Sequence, residues 1–331
     1  MILKQYSPES GIMVCKNNSY QKTNSSAYNL SASTGSFNYM SSVINSSTKL
    51  YSKNSVDTGW ESEYIYFADY GSKKVVKSRY NGTILNSIQL VNPTSLSVIQ
   101  NSNQMSIEQN IEDQGCWVID NNSIIRLSNK LEILTKINNL NSPLFIASSK
   151  IDYGCFVIDS NNNIFRFFEN GDLIGFGSVP SDIIDIKVNS FGEVYILQQY
   201  YLFRYVTVNG SISLVNSVYL PTIFTQHRVS TFDIDNSNDN KYIFIAGWNK
   251  YSSTFKIARY TKTCSDSHLS STYTGELPYI IKVSQHPRSS TLYILCDKTK
   301  YSDFESSSST MEINYSDSSF SSSSSSLSLR R

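Results

Sequence analysis

A chain of 331 residues and 37.4 kDa is long enough for one large core or two small ones, and its formal net charge of +1 argues against a strongly electropositive nucleic-acid surface. Only 17% of the residues are charged and 40% are hydrophobic, so polarity comes from hydroxyls and amides, with about 60 serines and about 30 asparagines. No apolar run approaches the roughly 18 residues of a spanning helix, and residues 1–8 carry neither an apolar h-region nor a small-residue cleavage site, so neither a membrane span nor a signal peptide is expected.

The first 58 residues read as a polar segment rich in Ser, Asn and Tyr, with one apolar run at Gly11–Cys15. From Tyr64 onward, short apolar runs recur: Tyr64–Asp69, Gly115–Asp120, Gly154–Asp159, Gly192–Leu197, and more loosely Lys241–Ala246 and Thr291–Cys296. A second run follows most of them, at Val75–Lys77, Ile124–Arg126, Ile164–Arg166, Leu202–Arg204 and Phe255–Arg259. Asn81-Gly82, Asn170-Gly171 and Asn209-Gly210 then announce a hairpin, because both residues tolerate positive φ. The runs at Leu96–Ile99, Leu144–Ala147, Ile183–Val188, Val229–Ile234 and Ile280–Val283 open the next unit. They are apolar on nearly both faces, as strands packed between neighbouring sheets must be. The spacing is that of a four-stranded propeller blade, and a 13% aromatic share dominated by Tyr suits pleated, half-buried strands.

The order of features, an apolar strand ending in Asp, a strand carrying a cation, an Asn-Gly turn and an inner strand, resembles the NHL-type propeller repeat over residues 64–300. The expected fold is all-β, a β-propeller of six four-stranded blades. The first inner strand is expected within residues 40–55, and N- and C-terminal strands mix in the closing blade. Residues 311–315 supply one of those strands and Gly11–Cys15 the outer one; seven blades result if residues 11–58 form a blade of their own. The expected domains are a polar segment at 1–58, the propeller at 59–304 and a Ser-rich tail at 305–331.

Each candidate site has two readings. Asp69, Asp120 and Asp159 end equivalent strands, either as convergent carboxylates or, as expected, as turn residues bonding nearby backbone. Lys77, Arg126, Arg166 and Arg204 recur at one strand position, either as a basic belt or as partners within and between blades. For an enzyme, His227, His286, Asp185, Asp233 and Asp235 are the residues to assemble at a channel mouth, where a divalent cation would serve a lyase or hydrolase. His268 is the remaining histidine. Trp248 and Tyr251, read as loop residues, are the ligand-contact candidates, whereas Trp117 matches Phe156 in the next repeat and reads as core. Lys73, Lys74, Lys77 and Arg79 around Tyr70 and Tyr80 form the local cluster on which an RNA-binding reading rests. The five cysteines form no C-x-x-C pair and read as buried thiols, and the Asn-x-Ser/Thr triplets at Asn24, Asn29, Asn45 and Asn81 follow from composition.

The expectation is therefore a non-enzymatic module that presents loops to a protein or glycan partner, without a cofactor. It is made in the cytoplasm, and its composition suits a virion, appendage or surface assembly.

Overall fold

The computed structural model describes residues 13–15, 28–33, 37–39, 56–58, 64–79, 83–99, 115–220, 224, 226–234, 242–249, 251–252, 254–261, 267–274, 277–283, 291–297 and 312–317. Among them every regular element is a strand. The chain forms two compact units, one centred on residues 40–197 and 203–217, the other on residues 10–39, 198–202 and 218–331.

At the N-terminus, β1 (Met13–Cys15), β2 (Tyr28–Ser33) and β3 (Phe37–Tyr39) precede the repeats. The first four-stranded antiparallel sheet of the first unit runs β4 (Val56–Thr58), β5 (Tyr64–Asp69), β6 (Lys74–Arg79) and β7 (Ile84–Gln89). Its opening strand falls at Val56–Thr58, just after the 40–55 window expected for it. The second sheet follows the same order: β8 (Pro93–Val98), β9 (Cys116–Asp120), β10 (Ser123–Leu127) and β11 (Ile133–Ile137).

The next two repeats are β12 (Pro143–Ser148), β13 (Cys155–Asp159), β14 (Asn163–Phe167) and β15 (Leu173–Ser178), then β16 (Asp185–Val188), β17 (Val194–Leu197), β18 (Tyr201–Val208) and β19 (Ser211–Tyr219). They merge into one eight-stranded sheet because β15 and β19, the outer strands, pair in parallel, with Phe176 opposite Ser211 and Gly177 opposite Ile212. Pairing two outer strands removes two exposed edges at once.

The second unit holds the sheet β20 (Arg228–Ile234), β21 (Tyr242–Asn249), β22 (Thr254–Thr261) and β23 (Ser267–Thr274). It also holds a mixed-origin sheet in which β24 (Leu277–Val283), β25 (Thr291–Asp297) and β26 (Glu312–Asp317) are completed by β2. An N-terminal strand thus does pair with a C-terminal one, with Leu30 opposite Tyr315. It is Tyr28–Ser33 and not Gly11–Cys15, whose residues 13–15 pair with β3 instead.

In the first unit β4, β8, β12 and β16 lie side by side, and alternate residues of each strand serve different cores. Cys116 and Val118 pack with Tyr66, Val75 and Leu96, whereas Trp117 and Ile119 turn to Ile146, Cys155, Val157 and Phe167. Phe156 and Ile158 in turn pack with Ile186, Val194, Ile196 and Ile212. A strand sandwiched this way has two buried faces, which is why the sequence runs are continuous rather than alternating. Side chains also tie these first strands together: the buried Asp57 carboxylate accepts from the Val98 amide at 2.8 Å, and the Ser148 hydroxyl donates to the Val98 carbonyl at 2.6 Å.

The Asn-Gly signals have different outcomes. Asn209 and Gly210, at φ of 50° and 78°, form the two-residue hairpin between β18 and β19. Asn170-Gly171 sits in a longer loop, closed by the Gly171 amide on the Phe168 carbonyl at 3.0 Å. Asn81-Gly82 lies outside the described residues.

Candidate functional site

In each antiparallel sheet of the first unit, loops emerge alternately at two ends. At one end lie the hairpins between second and third strands and the connections to the next sheet. Asp69, Asp120 and Asp159 stand here, all buried, and each holds a different stretch of main chain. Asp69 accepts from the amide and hydroxyl of Ser72, and Asp159 from the amides of Asn161 and Asn163 at 2.9 and 2.8 Å. Asp120 reaches back to the connection before β8 and accepts from the Asn92 amide at 2.5 Å. A carboxylate accepting such bonds shapes a loop.

The four repeated cations sit on the third strands β6, β10, β14 and β18, three of them directly across from an aromatic: Lys77 opposite Tyr66, Arg126 opposite Trp117 and Arg166 opposite Phe156. The Lys77 ammonium is buried against the Tyr64 ring at 4.4 Å and donates to the Asn129 carbonyl at 3.0 Å, in the turn of the following sheet. Arg126 repeats this move by pairing with Glu169 at 2.8 Å, in the turn after β14. Asn86 and Thr135 add hydrogen bonds to the same two turns. Arg166 and Arg204 turn instead to their own sheets, pairing with Asp152 and Glu193. Lys73 is exposed while Lys77 is buried, so these two members of the expected basic cluster do not share a surface; the side chain of Arg79 and all of Tyr80 lie outside the described residues.

At the opposite end of the sheets, the loops between first and second strands expose Ile151 and Phe191, at 53% and 59%, beside Phe168 in the turn after β14 at 40%. These loops touch: a Cβ placed on Gly192 would lie 3.1 Å from Ile151 Cδ1 and 3.7 Å from Arg166 Nη2. The main chain at Phe191 is held, because Asn189 Oδ1 accepts from the amides of Phe191 and Glu193 at 3.0 and 2.9 Å. The Asn189 amide nitrogen donates to Glu193 at 2.7 Å, and Tyr195 and Arg204 also donate to that carboxylate. Burial alone would push the Glu193 carboxyl up, but the bonds from Arg204, Asn189 and Tyr195 bring it below its ordinary value of 4.5.

A depressed folded-state pKa gives stability that is present above the unfolded value and lost as pH falls through the folded one. Acid titration of stability should therefore show a loss below pH 4.5 that is shallower in Glu193→Gln. Parallel acid limbs for the two proteins in denaturant melts would contradict this role for Glu193.

Both units contain described enzyme candidates. Asp185 opens β16 in the first unit, buried, with its own carboxylate accepting from the Ile186 amide at 2.9 Å and with Lys187 at 3.6 Å. His227 and Asp233 belong to the second unit, where both are buried. Burial and the nearby Lys256 charge lower the His227 pKa, which favours a neutral imidazole. Asp235 and His286 lie outside the described residues, and the side chain of His268 on β23 is likewise not described. Among the described residues no three His, Cys, Asp or Glu side chains gather as a metal site would require.

Trp248 is not a loop residue. It stands within β21, opposite Arg228 and Phe255, and is half-buried, because β21 runs three residues beyond the apolar stretch Lys241–Ala246. Tyr251 does occupy a turn and is 88% exposed. Trp117 is fully buried, with its indole N–H donating to the Tyr153 carbonyl at 2.9 Å. Cys116 and Cys155 are buried and not disulfide-bonded, and burial with the Asp152 charge pushes the Cys155 thiol up.

Ile151 and Phe191 were not singled out from the sequence. The signal was present in Asn189-Ser-Phe-Gly192, a tight turn between two apolar strands with one large ring at its tip.

No protein-family model matches the chain, and no curated protein matches it. Among solved structures it is similar to BBS1N in complex with ARL6DN soaked with mercury, at a TM-score of 0.52 and 14% identity over 76% of this chain and 73% of that one. The same complex soaked with lead gives a TM-score of 0.53 and 14% identity over 76% and 74%. The likeness is to the N-terminal β-propeller of BBS1. Together with the all-β sheets it shows a β-propeller fold for this chain.

Proposed function

We propose that this chain is a non-enzymatic propeller module that binds a protein partner through the loop end bearing Ile151 and Phe191. The observation that carries the reading is the pair of large apolar side chains exposed on touching loops, the main chain of one loop being fixed by the Asn189 hydrogen bonds. Rigid apolar anchors ringed by polar groups and ion pairs are what a protein interface uses as its centre, since little entropy is lost on ordering them. The ion pairs Arg166–Asp152 and Arg204–Glu193 supply that polar surround. The structural neighbour BBS1N is itself in complex with a protein, ARL6DN.

The finer reading is six NHL-like blades, closed by N- and C-terminal strands, acting without a cofactor. The low-charge, Ser- and Asn-rich composition supports a place in a virion, appendage or surface assembly.

The test is affinity capture with the full chain from its native source, followed by mass spectrometry, comparing wild type with Ile151→Asp and Phe191→Asp. Each variant is expected to lose at least tenfold of one specific interactor, because a carboxylate at an interface centre must be desolvated unpaired. Unchanged thermal unfolding would show that the fold survives. An interactor set identical in wild type and both variants would overturn the proposal.

A further inference from the structure

A second surface has different chemistry. The turn between β17 and β18 carries Tyr200, 60% exposed, followed by Tyr201, 39% exposed, and the end of β19 returns Tyr219 to the same place, 52% exposed. The Tyr201 and Tyr219 rings are 5.2 Å apart at 55°, a tilted pair that presents a notch of aromatic surface. The main chain beneath is fixed: the Leu220 amide donates to the Tyr200 carbonyl at 2.9 Å, and the Gln198 amide to the Tyr201 carbonyl at 2.8 Å. Three exposed phenols on bonded backbone form a preorganised platform.

The sequence around the platform decides what could occupy it. From Val194 to Phe203 and again from Tyr205 to His227 there is no Lys, Arg, Asp or Glu. Nucleic acid or an anionic polymer would call for cations here, and a basic peptide for carboxylates. The residues that adjoin the three rings in the chain are instead uncharged, Gln198 and Gln199 before Tyr200 and Tyr201, and Val218 and Leu220 beside Tyr219. Exposed aromatic rings with neutral donors and acceptors match a ligand that offers C–H faces and hydroxyls together but no charge.

We infer that Tyr200, Tyr201 and Tyr219 form a binding platform for a neutral polysaccharide. Sugar rings stack on the phenol faces, while the phenolic hydroxyls bond the sugar hydroxyls. This site is independent of the protein-binding loop end, and either can fail without the other.

Affinity electrophoresis of the full chain through gels containing soluble β-glucan, α-mannan or galactomannan tests it. At least one neutral polymer should retard wild type, and the retardation should persist in high salt, since no counterions are released. Tyr201→Ala and Tyr219→Ala should each weaken binding about tenfold, as loss of one stacking ring does, whereas Tyr219→Phe should retain most of it. All three sites are solvent-facing, so unfolding curves should match wild type and separate lost binding from lost folding. The proposal falls if none of the three polymers retards the chain, if the alanine variants are retarded as strongly as wild type, or if only an anionic polysaccharide binds, in a salt-sensitive way.

Discussion

Gly177→Ala should destabilise the fold by about 2–4 kcal/mol, far more than one methyl group ordinarily costs. The parallel pairing of β15 with β19 brings the backbones so close that a Cβ on Gly177 would lie 2.3 Å from the Ile212 carbonyl oxygen and 3.0 Å from its Cβ. A carbonyl held in a strand cannot rotate away as a long side chain can, so the strands must part or the backbone must bend. Parting them also removes the bond from the Phe176 amide to the Gly210 carbonyl, 3.0 Å long, and reopens two strand edges. Gly175 reports the same constraint more gently, its virtual Cβ meeting side-chain carbons of Thr207 and Ile212 at 3.0 and 3.3 Å. Urea unfolding should therefore rank Gly177→Ala well below Gly175→Ala, with Ser178→Ala, exposed on the same strand, within about 0.5 kcal/mol of wild type. Hydrogen exchange should show Phe176 losing protection in Gly177→Ala. If Gly177→Ala and Ser178→Ala unfold at the same urea concentration, the seam does not contribute as argued.

That seam was invisible in the sequence, although the strands on either side were not. The repeat of an apolar strand, a cation-bearing strand, a turn and an inner strand could be read because burial on two faces forces long apolar runs. The runs at Tyr64–Asp69 and Val229–Ile234 sit on observed strands almost residue for residue. Which strands meet across repeats is set by twist and loop length, and neither leaves a local mark. The closing strand was misplaced for a related reason: Gly11–Cys15 is the more apolar run, but the backbone ladder to β26 is made by the more polar Tyr28–Ser33.

Site residues were harder to read still. The cations on β6, β10, β14 and β18 stood out by periodicity, and their turns and carboxylate partners are long-range contacts that periodicity cannot show. Exposure was the hardest property. Ile133 and Leu134 on β11 are more than half exposed, whereas Ile124 and Ile125 one strand away are buried, and nothing in the two pairs distinguishes them. Phe191, Ile151 and the tyrosine platform were missed on this account, because an apolar residue in a β-rich sequence is assigned to the core by default.

Trp117 carries the second large effect. It fills the core between β8–β11 and β12–β15, where it packs with Ile119, Ile146, Cys155 and Val157, and none of its surface is exposed. Trp117→Ala should cost about 3–5 kcal/mol, the range for deleting a fully buried large aromatic whose surroundings relax only in part. Trp117→Phe is the informative partner. The following repeat places Phe156 at this position, equally buried and likewise opposite an arginine, so a phenyl ring is compatible with the local architecture. What the phenyl ring cannot supply is the indole N–H that donates to the Tyr153 carbonyl in the loop before β13, and that carbonyl would lose a partner. Adding the lost bond to the reduced volume, Trp117→Phe should cost about 1–2 kcal/mol. Equilibrium unfolding in urea, with an unchanged slope for all three proteins, measures both values. The loop from Ser149 to Gly154 also presents Ile151, so the phenylalanine variant should show faster hydrogen exchange at the amides of residues 151–153 while the strand amides of β9 stay protected. Equal costs for the alanine and phenylalanine variants would mean that the repeat equivalence does not extend to packing. A phenylalanine variant as stable as wild type would mean that the indole bond contributes nothing, and the two repeats would then be interchangeable at this position.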